Sequence, residues 1–256
     1  MNQFFKYQGT GNDFIMIDNR ALNFKKEQAH IARLCHRRFG IGADGLILLE
    51  APTNSGDDFT MIYYNADGRE STMCGNGGRC IVKFAQALNI INNRCQFSAI
   101  DGVHQATIAD GLVSLKMTDV DSIRPHDQGW CLNTGSPHYV TFINNIDDLD
   151  VDKAGRLIRH SAAFDREGIN VNFVELGVNT HKVRTYERGV EAETYSCGTG
   201  VTAVAIALFA AKHSTKESAT LDTLGGRLSV QFKSTDSGFK DIWLTGPAEH
   251  TFTGTY

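Results

Sequence analysis

Two cysteines stand where the sequence favours thiol chemistry. Cys74 opens the string Cys-Gly-Asn-Gly ahead of an apolar helical pattern at residues 81–88, and Cys197 opens Cys-Gly-Thr-Gly ahead of an apolar run at residues 201–212. The backbone N–H groups and the positive end of the dipole at a helix start stabilise a thiolate. The same N–H groups bind anions, and glycine lets a ligand approach the backbone. The pattern therefore predicts two reactive thiols, each beside an anion site.

The two cysteine corners belong to a longer internal repeat. When the chain is aligned on the two cysteines, further segments match in the same order: residues 10–15 with 134–139, 42–47 with 168–173, and 101–115 with 225–232. We interpret this as a duplication into half-chains of about 120 residues. The predicted domains are residues 1–118 and 119–249, and the tail 250–256 is expected to pack on the first half.

The elements around the corners alternate between short strands and turns. Apolar patterns predict strands at residues 4–7, 14–18 and 46–49, and Asp-Gly turns predict a meander over residues 96–117. Surface helices are predicted at residues 27–38 and 152–164, and residues 119–128 are expected to be a polar connector. The predicted class is α+β, with two pseudo-symmetric domains from an internal duplication, each a mostly antiparallel sheet wrapped around a central apolar helix.

The composition excludes several classes of protein. Of 256 residues, 41% are hydrophobic and 21% charged, which is typical of a soluble globular chain. The net charge of −4 comes without a basic run, so neither nucleic acid nor an anionic membrane is an expected partner. Residues 1–6 lack the apolar core of a signal peptide, and the longest apolar run is too short to span a bilayer. We expect a cytoplasmic protein whose partner is a small molecule.

The remaining four of the six cysteines are expected to pack in the core. The chain has no Cys-x-x-Cys pair, and the spacing of Cys74 and Cys80 matches no common zinc pattern, so no metal site is expected. A buried thiol behaves as a small apolar group. That interpretation applies to Cys35, Cys80, Cys95 and Cys131.

The chain resembles the diaminopimelate epimerase family nearly from end to end. The segments that carry the resemblance are Gly-Asn-Asp-Phe at 11–14, Asn-Ala-Asp-Gly at 65–68, Cys-Gly-Asn-Gly-Gly-Arg at 74–79, Pro-His at 137–138, Gly-Ile-Asn-Val at 168–171, Tyr-Glu-Arg-Gly at 186–189 and Cys-Gly-Thr-Gly at 197–200. The resemblance implies two similar domains with the active site between them. It also implies interconversion of LL- and meso-diaminopimelate without pyridoxal phosphate or metal, in lysine and peptidoglycan-precursor biosynthesis, and suggests a homodimer.

The two cysteines fit that reaction. Inverting an α-carbon requires a base on one face and an acid on the other, and a thiol with a reference pKa of about 8.5 can serve as either when a helix start lowers that pKa. We assign Cys74 and Cys197 as the catalytic acid/base pair. Backbone N–H groups at the two helix starts are predicted to bind the substrate carboxylate, and these belong to Gly75, Asn76, Gly198 and Thr199.

The resemblance supplies the rest of the site. Its substrate-binding residues are Asn12, Asn65, Asn170, Glu187 and Arg188. Arg188 is expected to hold the distal carboxylate through two hydrogen bonds, and Glu187 to meet an ammonium group. Two supporting residues are His138, which lies beside the catalytic pair in the family, and Ser136, which stands where the family usually has Asn. Gly45 also departs from the family, since many members have Gln there.

Two other functions fit parts of the pattern. A proline or hydroxyproline racemase of the same fold would share the cysteine pair, but such enzymes usually have His at the position of Asn76 and lack a counterpart of Glu187 and Arg188. A redox protein could instead join Cys74 and Cys197 in a reversible disulfide. Exchange of a substrate α-hydrogen by the reduced protein separates the enzymes from the redox protein.

Overall fold

The computed structural model describes residues 2–256, which form two units. One unit contains the residues up to Leu115 together with Gly246–Tyr256, and the other is the continuous stretch Lys116–Thr245. The boundary predicted from the sequence lies after residue 118, with residues 250–256 in the first half.

The elements follow one another in a pattern that repeats once along the chain. In chain order they are β1 (Gln3–Gly9), β2 (Asn12–Asp18), α1 (Gln28–Cys35), β3 (Gly45–Glu50), β4 (Phe59–Asn65), β5 (Glu70–Ser71), α2 (Gly75–Ala87), β6 (Arg94–Ala99), β7 (Gly102–Ala109), β8 (Leu112–Lys116), β9 (Ile123–His126), β10 (Gly129–Asn133), β11 (Pro137–Phe142), a 3₁₀ turn (Ile146–Asp148), α3 (Val151–Arg159), β12 (Asn170–Glu175), β13 (His181–Glu187), β14 (Ala192–Thr194), α4 (Gly198–Ala210), β15 (Ser218–Thr223), β16 (Gly226–Thr235), β17 (Gly238–Gly246) and β18 (Glu249–Thr255).

The sheet of the first unit has the strand order β18-β1-β2-β3-β4-β6-β7-β8, and the short β5 pairs with β4. The β2–β3 and β4–β6 pairs are parallel and the others are antiparallel. Helix α2 packs against β1, β2, β3 and β18, and most of its residues are buried.

The second unit repeats this arrangement strand for strand. Its order is β9-β10-β11-β12-β13-β15-β16-β17, with the short β14 on β13 and parallel pairs at β11–β12 and β13–β15. Helix α4 is apolar on all sides, as a fully buried helix must be, and packs against β10, β11, β12, β15 and β16. The α+β class and the duplication predicted from the sequence are confirmed.

The two central helices begin earlier than the sequence predicted. Helix α2 starts at Gly75 rather than at residue 81, and α4 starts at Gly198 rather than at residue 201. The glycines carry no apolar periodicity, but they allow close packing. A Cβ added at Gly77 would lie 3.0 Å from the Ile47 Cδ1 atom of β3. Each cysteine is therefore the residue directly before a helix.

Three further predictions of elements were wrong in their extent. Helix α1 ends at Cys35 rather than at residue 38, and α3 ends at Arg159 rather than at residue 164. The polar connector contains β9, which pairs with β10. Of the helices in residues 2–256, none combines the length and the apolar character needed to span a lipid bilayer.

Candidate active site

Cys74 occupies the N-cap position of α2. Its backbone is extended, with φ −100° and ψ 146°, and its sulfur accepts a hydrogen bond of 3.2 Å from the Gly77 N–H. The Cys74 carbonyl accepts from the Gly78 N–H at 2.8 Å, which closes the first helical turn. A backbone N–H that donates to sulfur favours the charged form of the thiol. The half-buried Cys74 thus has the helix-start environment that the sequence predicted.

Cys197 occupies the same position before α4. Its backbone is again extended, with φ −125° and ψ 114°, and its side chain is buried. Its sulfur lies 3.4 Å from the Thr199 hydroxyl oxygen, where the sulfur of Cys74 has a backbone N–H instead. The two corners share a backbone geometry but differ in the groups that meet the sulfur.

A buried hydrogen-bond network behind Cys197 fixes the tautomer of His138. The amide of Asn172 is oriented by the Thr185 hydroxyl, which donates to Oδ1 at 3.0 Å, and by its own Nδ2, which donates to the Tyr139 carbonyl at 3.1 Å. That Nδ2 also lies 3.1 Å from His138 Nδ1, so Nδ1 must be the acceptor. Nε2 therefore carries the ring proton and donates to the Thr199 hydroxyl at 3.0 Å.

The network reaches the sulfur of Cys197. Complete burial, assisted by the positive charge of Arg188, lowers the pKa of His138 to about 3, so its imidazole is neutral at pH 7. The Thr199 oxygen accepts the hydrogen bond from the His138 Nε2–H, so its own hydroxyl proton is available to donate to the Cys197 sulfur. A neutral histidine and a threonine hydroxyl thereby position the second thiol.

Asn12 and Asn76 lie together in the first unit. The Asn76 Nδ2 donates to Asn12 Oδ1 at 3.4 Å, and Asn12 Nδ2 donates to Asp44 Oδ2 at 2.7 Å. Asn65 is exposed at the end of β4, where its backbone N–H and carbonyl close the turn with Arg69 and Gly68. Within residues 2–256 the structure joins Asn12 to Asn76 but joins the Asn65 side chain to neither.

Asn170 connects two other predicted site residues, Ser136 and Arg188, in the second unit. Its Nδ2 donates to the Ser136 hydroxyl at 2.8 Å and to the Pro137 carbonyl at 3.0 Å, and its Oδ1 accepts from the Arg188 backbone N–H at 2.9 Å. The Arg188 guanidinium is exposed, with one donor on the Glu167 carbonyl at 2.8 Å.

Glu187 ends β13 directly before Arg188. One of its carboxylate oxygens accepts from the Thr194 hydroxyl at 3.1 Å, which ties the side chain to β14. Glu187 is half-buried. The turn after β13 therefore presents an anchored carboxylate and an exposed guanidinium in consecutive positions.

Sequence reasoning missed three residues of these networks. Asp44 accepts a hydrogen bond from Asn12, Asn172 donates to His138, and Arg79 donates to the side-chain Oδ1 of Asn76 at 3.0 Å. The available signals were a second polar residue two positions from Asn170 in an apolar strand, and a charge in the first turns of an apolar helix.

The other four cysteines are buried, as predicted. Burial raises the pKa of Cys35 and of Cys95 to about 12, and it also raises those of Cys80 and Cys131. These thiols are protonated at neutral pH and pack as apolar groups. In residues 2–256, no three His, Cys, Asp or Glu side chains are grouped so that they could hold a metal ion.

The chain is similar to proteins of known name over its whole length. The profile of the diaminopimelate epimerase family matches residues 4–121 and 130–251. The chain is 53% identical over 254 residues to the diaminopimelate epimerase of Flavobacterium psychrophilum, and the match covers 98% of each chain.

Solved structures show the same fold at low identity. A phenazine biosynthesis protein of the PhzF family from Bacillus anthracis superposes with a TM-score of 0.76 at 11% identity, covering 99% of this chain and 98% of that one. A hydroxyproline epimerase from Agrobacterium vitis gives a TM-score of 0.70 at 14% identity, covering 98% and 91%. The fold is thus shared with these proteins, whereas both halves of the sequence match one family, and the chain belongs to the diaminopimelate epimerase family.

Proposed function

We propose that this protein interconverts LL- and meso-2,6-diaminopimelate by two-base transfer of the α-proton, without pyridoxal phosphate. The observation that carries the proposal is the duplicated thiol: Cys74 and Cys197 each precede a buried central helix of 13 residues in one of two equivalent sheets. A reaction that inverts one carbon needs two such groups. Membership of the family supplies the substrate.

In the proposed reaction one sulfur gains a proton and the other sulfur loses one. The thiolate of one cysteine takes the α-proton of the substrate, and the thiol of the other gives its proton to the opposite face of the same carbon. The protein is left with the charge on the second sulfur, and the reverse reaction exchanges the roles. The N–H donor on Cys74 and the hydroxyl beside Cys197 both support a transient thiolate.

The negative charge that develops on the substrate spreads into its α-carboxylate. We assign the binding of that carboxylate to backbone N–H groups in the first turns of α2 and α4, which combine N–H donors with the positive helix dipole. The residues are Gly75 and Asn76 in the first unit and Gly198 and Thr199 in the second. Loss of one such donor costs other enzymes about 3 kcal/mol of transition-state stabilisation.

The distal ammonium and carboxylate are assigned to the turn after β13. The exposed Arg188 guanidinium suits a carboxylate, and the anchored Glu187 carboxylate suits an ammonium. Asn170 and Ser136 hold the Arg188 backbone in place. Asn12 and Asn65 are assigned as substrate-binding residues of the first unit.

The cellular role and assembly follow from the same assignment. The product would supply lysine and peptidoglycan-precursor biosynthesis. A homodimer and a cytoplasmic location stay predictions, and sedimentation of the purified protein tests the first.

Proton NMR of the reduced protein in D₂O tests the proposed reaction. We expect deuterium at one α-carbon of LL-diaminopimelate together with the meso isomer, and loss of both products in Cys74→Ala and in Cys197→Ala. Cys131→Ala is the matched control, because it removes a buried thiol of the core and should retain exchange.

Three outcomes would contradict the proposal in different ways. Exchange with proline or hydroxyproline in place of diaminopimelate would keep the two-thiol mechanism and change the substrate. Exchange that survives loss of either cysteine would overturn the two-base assignment. No exchange with any of these compounds would leave the thiol pair to a redox function.

A further inference from the structure

Arg79 is a buried cation that the mechanism above does not use. It lies one turn into α2, five positions after Cys74, and its side chain has no exposed surface. Its hydrogen bonds within residues 2–256 all go to uncharged acceptors, namely the Gly75 and Pro247 carbonyls, the Thr10 hydroxyl and the Asn76 side-chain carbonyl. Burial lowers the pKa of Arg79 to about 10, so the guanidinium is charged at neutral pH. A buried charge held without a carboxylate partner is costly, and its retention needs an explanation.

The guanidinium orients a predicted ligand of the substrate. One Arg79 nitrogen donates to Asn76 Oδ1 at 3.0 Å, which turns the Asn76 Nδ2 toward Asn12. Another donates to the Gly75 carbonyl at 3.1 Å, across the first turn of α2. Arg79 thereby fixes both the amide of Asn76 and the backbone that precedes it.

The second unit has no charge at the matching position. Counting five residues from Cys197 leads to Thr202, which is also fully buried and donates its hydroxyl to the Gly198 carbonyl at 2.9 Å. Thr202 thus donates to the carbonyl that is equivalent to the Gly75 carbonyl bound by Arg79, but as a neutral group. His138 behind Cys197 is neutral as well, and the cation that acts on it is the exposed Arg188, whereas the cation at the α2 start is fully buried.

The ionisable groups around this charge, among residues 2–256, lie on α2 itself and on the elements beside it. Cys74 and Cys80 interact with Arg79 electrostatically from its own helix, and Tyr7 of β1 interacts with Cys80. Burial raises the pKa of both Cys80 and Tyr7, so neither carries charge at neutral pH. Lys6 and Asp13, on the strands beside α2, form an ion pair with each other at 2.7 Å. Of the two thiols in residues 2–256 that interact with Arg79, Cys80 stays protonated, which leaves Cys74 as the candidate thiolate. The Asp101 carboxylate also lies beside this helix start, because it accepts from the Met73 N–H at 3.2 Å.

We propose that Arg79 is a positioning residue that orients Asn76 and gives the α2 start a permanent positive charge, so that the resting thiolate resides on Cys74 and the resting thiol on Cys197. This assignment rests on the proposed function, in which one thiolate and one thiol are needed at once. It makes the two pseudo-equivalent halves electrically unequal before substrate binds.

The pH dependence of alkylation tests the assignment without substrate. Reduced protein is treated with iodoacetamide over a range of pH, and peptide mapping by mass spectrometry gives a separate ionisation midpoint for Cys74 and for Cys197. The midpoints are compared rather than the rates, because the burial of Cys197 slows its alkylation at every pH. Cys197 is the internal control in each sample.

The expected result has three parts. In the wild type the Cys74 midpoint lies below that of Cys197. Arg79→Gln raises the Cys74 midpoint by about one pH unit, which slows its alkylation about tenfold below the midpoint, and leaves Cys197 unchanged. Arg79→Lys, which keeps the charge, returns the Cys74 midpoint toward the wild-type value.

Three results would overturn the assignment. These are a lower midpoint for Cys197 in the wild type, an unchanged Cys74 midpoint in Arg79→Gln, and a Lys variant that behaves like the Gln variant. The comparison of the Cys74 and Cys197 midpoints in the wild type tests the assignment even where a variant fails to fold. Deuterium exchange at the α-carbon of diaminopimelate, measured in the same samples, separates this assignment from the proposed function. A protein without epimerase activity would still show the effect of Arg79 on the alkylation of Cys74.

Discussion

The buried neutral His138 makes the stability of the second unit depend on pH. Its pKa is about 3 in the folded protein against an ordinary value of 6.5, so below pH 6.5 the unfolded chain binds a proton that the folded chain does not. The stabilising contribution is therefore fully present above pH 6.5 and is lost as the pH falls toward 3. At about 1.4 kcal/mol for each pH unit, the loss between pH 7 and pH 5 is about 2 kcal/mol.

The variant His138→Gln isolates this contribution. Glutamine does not titrate, so the variant should lose about 2 kcal/mol less than the wild type on going from pH 7 to pH 5, even though it is less stable at pH 7 for want of the hydrogen bonds to Asn172 and Thr199. The control His181→Gln removes a half-buried histidine from β13, whose pKa is lowered by burial. It should reduce the loss by much less.

The chain offers a probe of the right unit. Its two tryptophans, Trp130 and Trp243, both lie in the unit Lys116–Thr245, so urea unfolding followed by tryptophan fluorescence reports that unit. Asp13, whose pKa is lowered through its hydrogen bonds and ion pairs with Arg37 and Lys6, lies in the other unit. The reasoning is refuted if the wild type and His138→Gln lose equal free energy of unfolding between pH 7 and pH 5. A histidine NMR signal of His138 that titrates near pH 6.5 would refute it as well.

Three further predictions concern single contacts. Thr199→Val leaves the His138 N–H without its acceptor, so it should lower the free energy of unfolding by about 1–3 kcal/mol and reduce kcat. The control Thr199→Ser should preserve both quantities. Equal effects of the two substitutions would contradict the role of the hydroxyl. Arg188→Met should lower kcat/KM for diaminopimelate by about 10–100-fold through loss of charged hydrogen bonds, and an unchanged kcat/KM would exclude Arg188 from substrate binding. Gly45→Ala places a Cβ 2.6 Å from the Tyr63 ring. This close contact should lower the free energy of unfolding, measured by calorimetry, by about 1–3 kcal/mol. An unchanged free energy of unfolding would show that Tyr63 moves aside.

The thiol corners and the duplication were predictable because their signals are local. A Cys-Gly-x-Gly string before an apolar run occurs twice, and an ordered repeat specifies two equivalent folding units. The helix starts were predicted too late, since glycine has a low helix propensity and adds no apolar periodicity. Burial of the first turn of α2 against β3 overrides that propensity.

The polar networks were not predictable because their partners lie far apart in the sequence. His138 meets Asn172 34 positions later and Thr199 61 positions later, and Arg79 meets Thr10 69 positions earlier. Each of these groups alone is typical of a loop or a surface. The parallel strand pairs that bring them together join segments with no shared sequence signal, such as β11 and β12.

The position of β18 has a consequence for the order in which the protein is made. This strand lies beside β1, with Gln3 opposite Thr255, although it follows the whole of the second unit in the sequence. During synthesis the second unit has all its strands once residue 246 has emerged, whereas the first unit waits for β18 and leaves one edge of β1 unpaired. The half that the ribosome makes first is thus the half that is completed last.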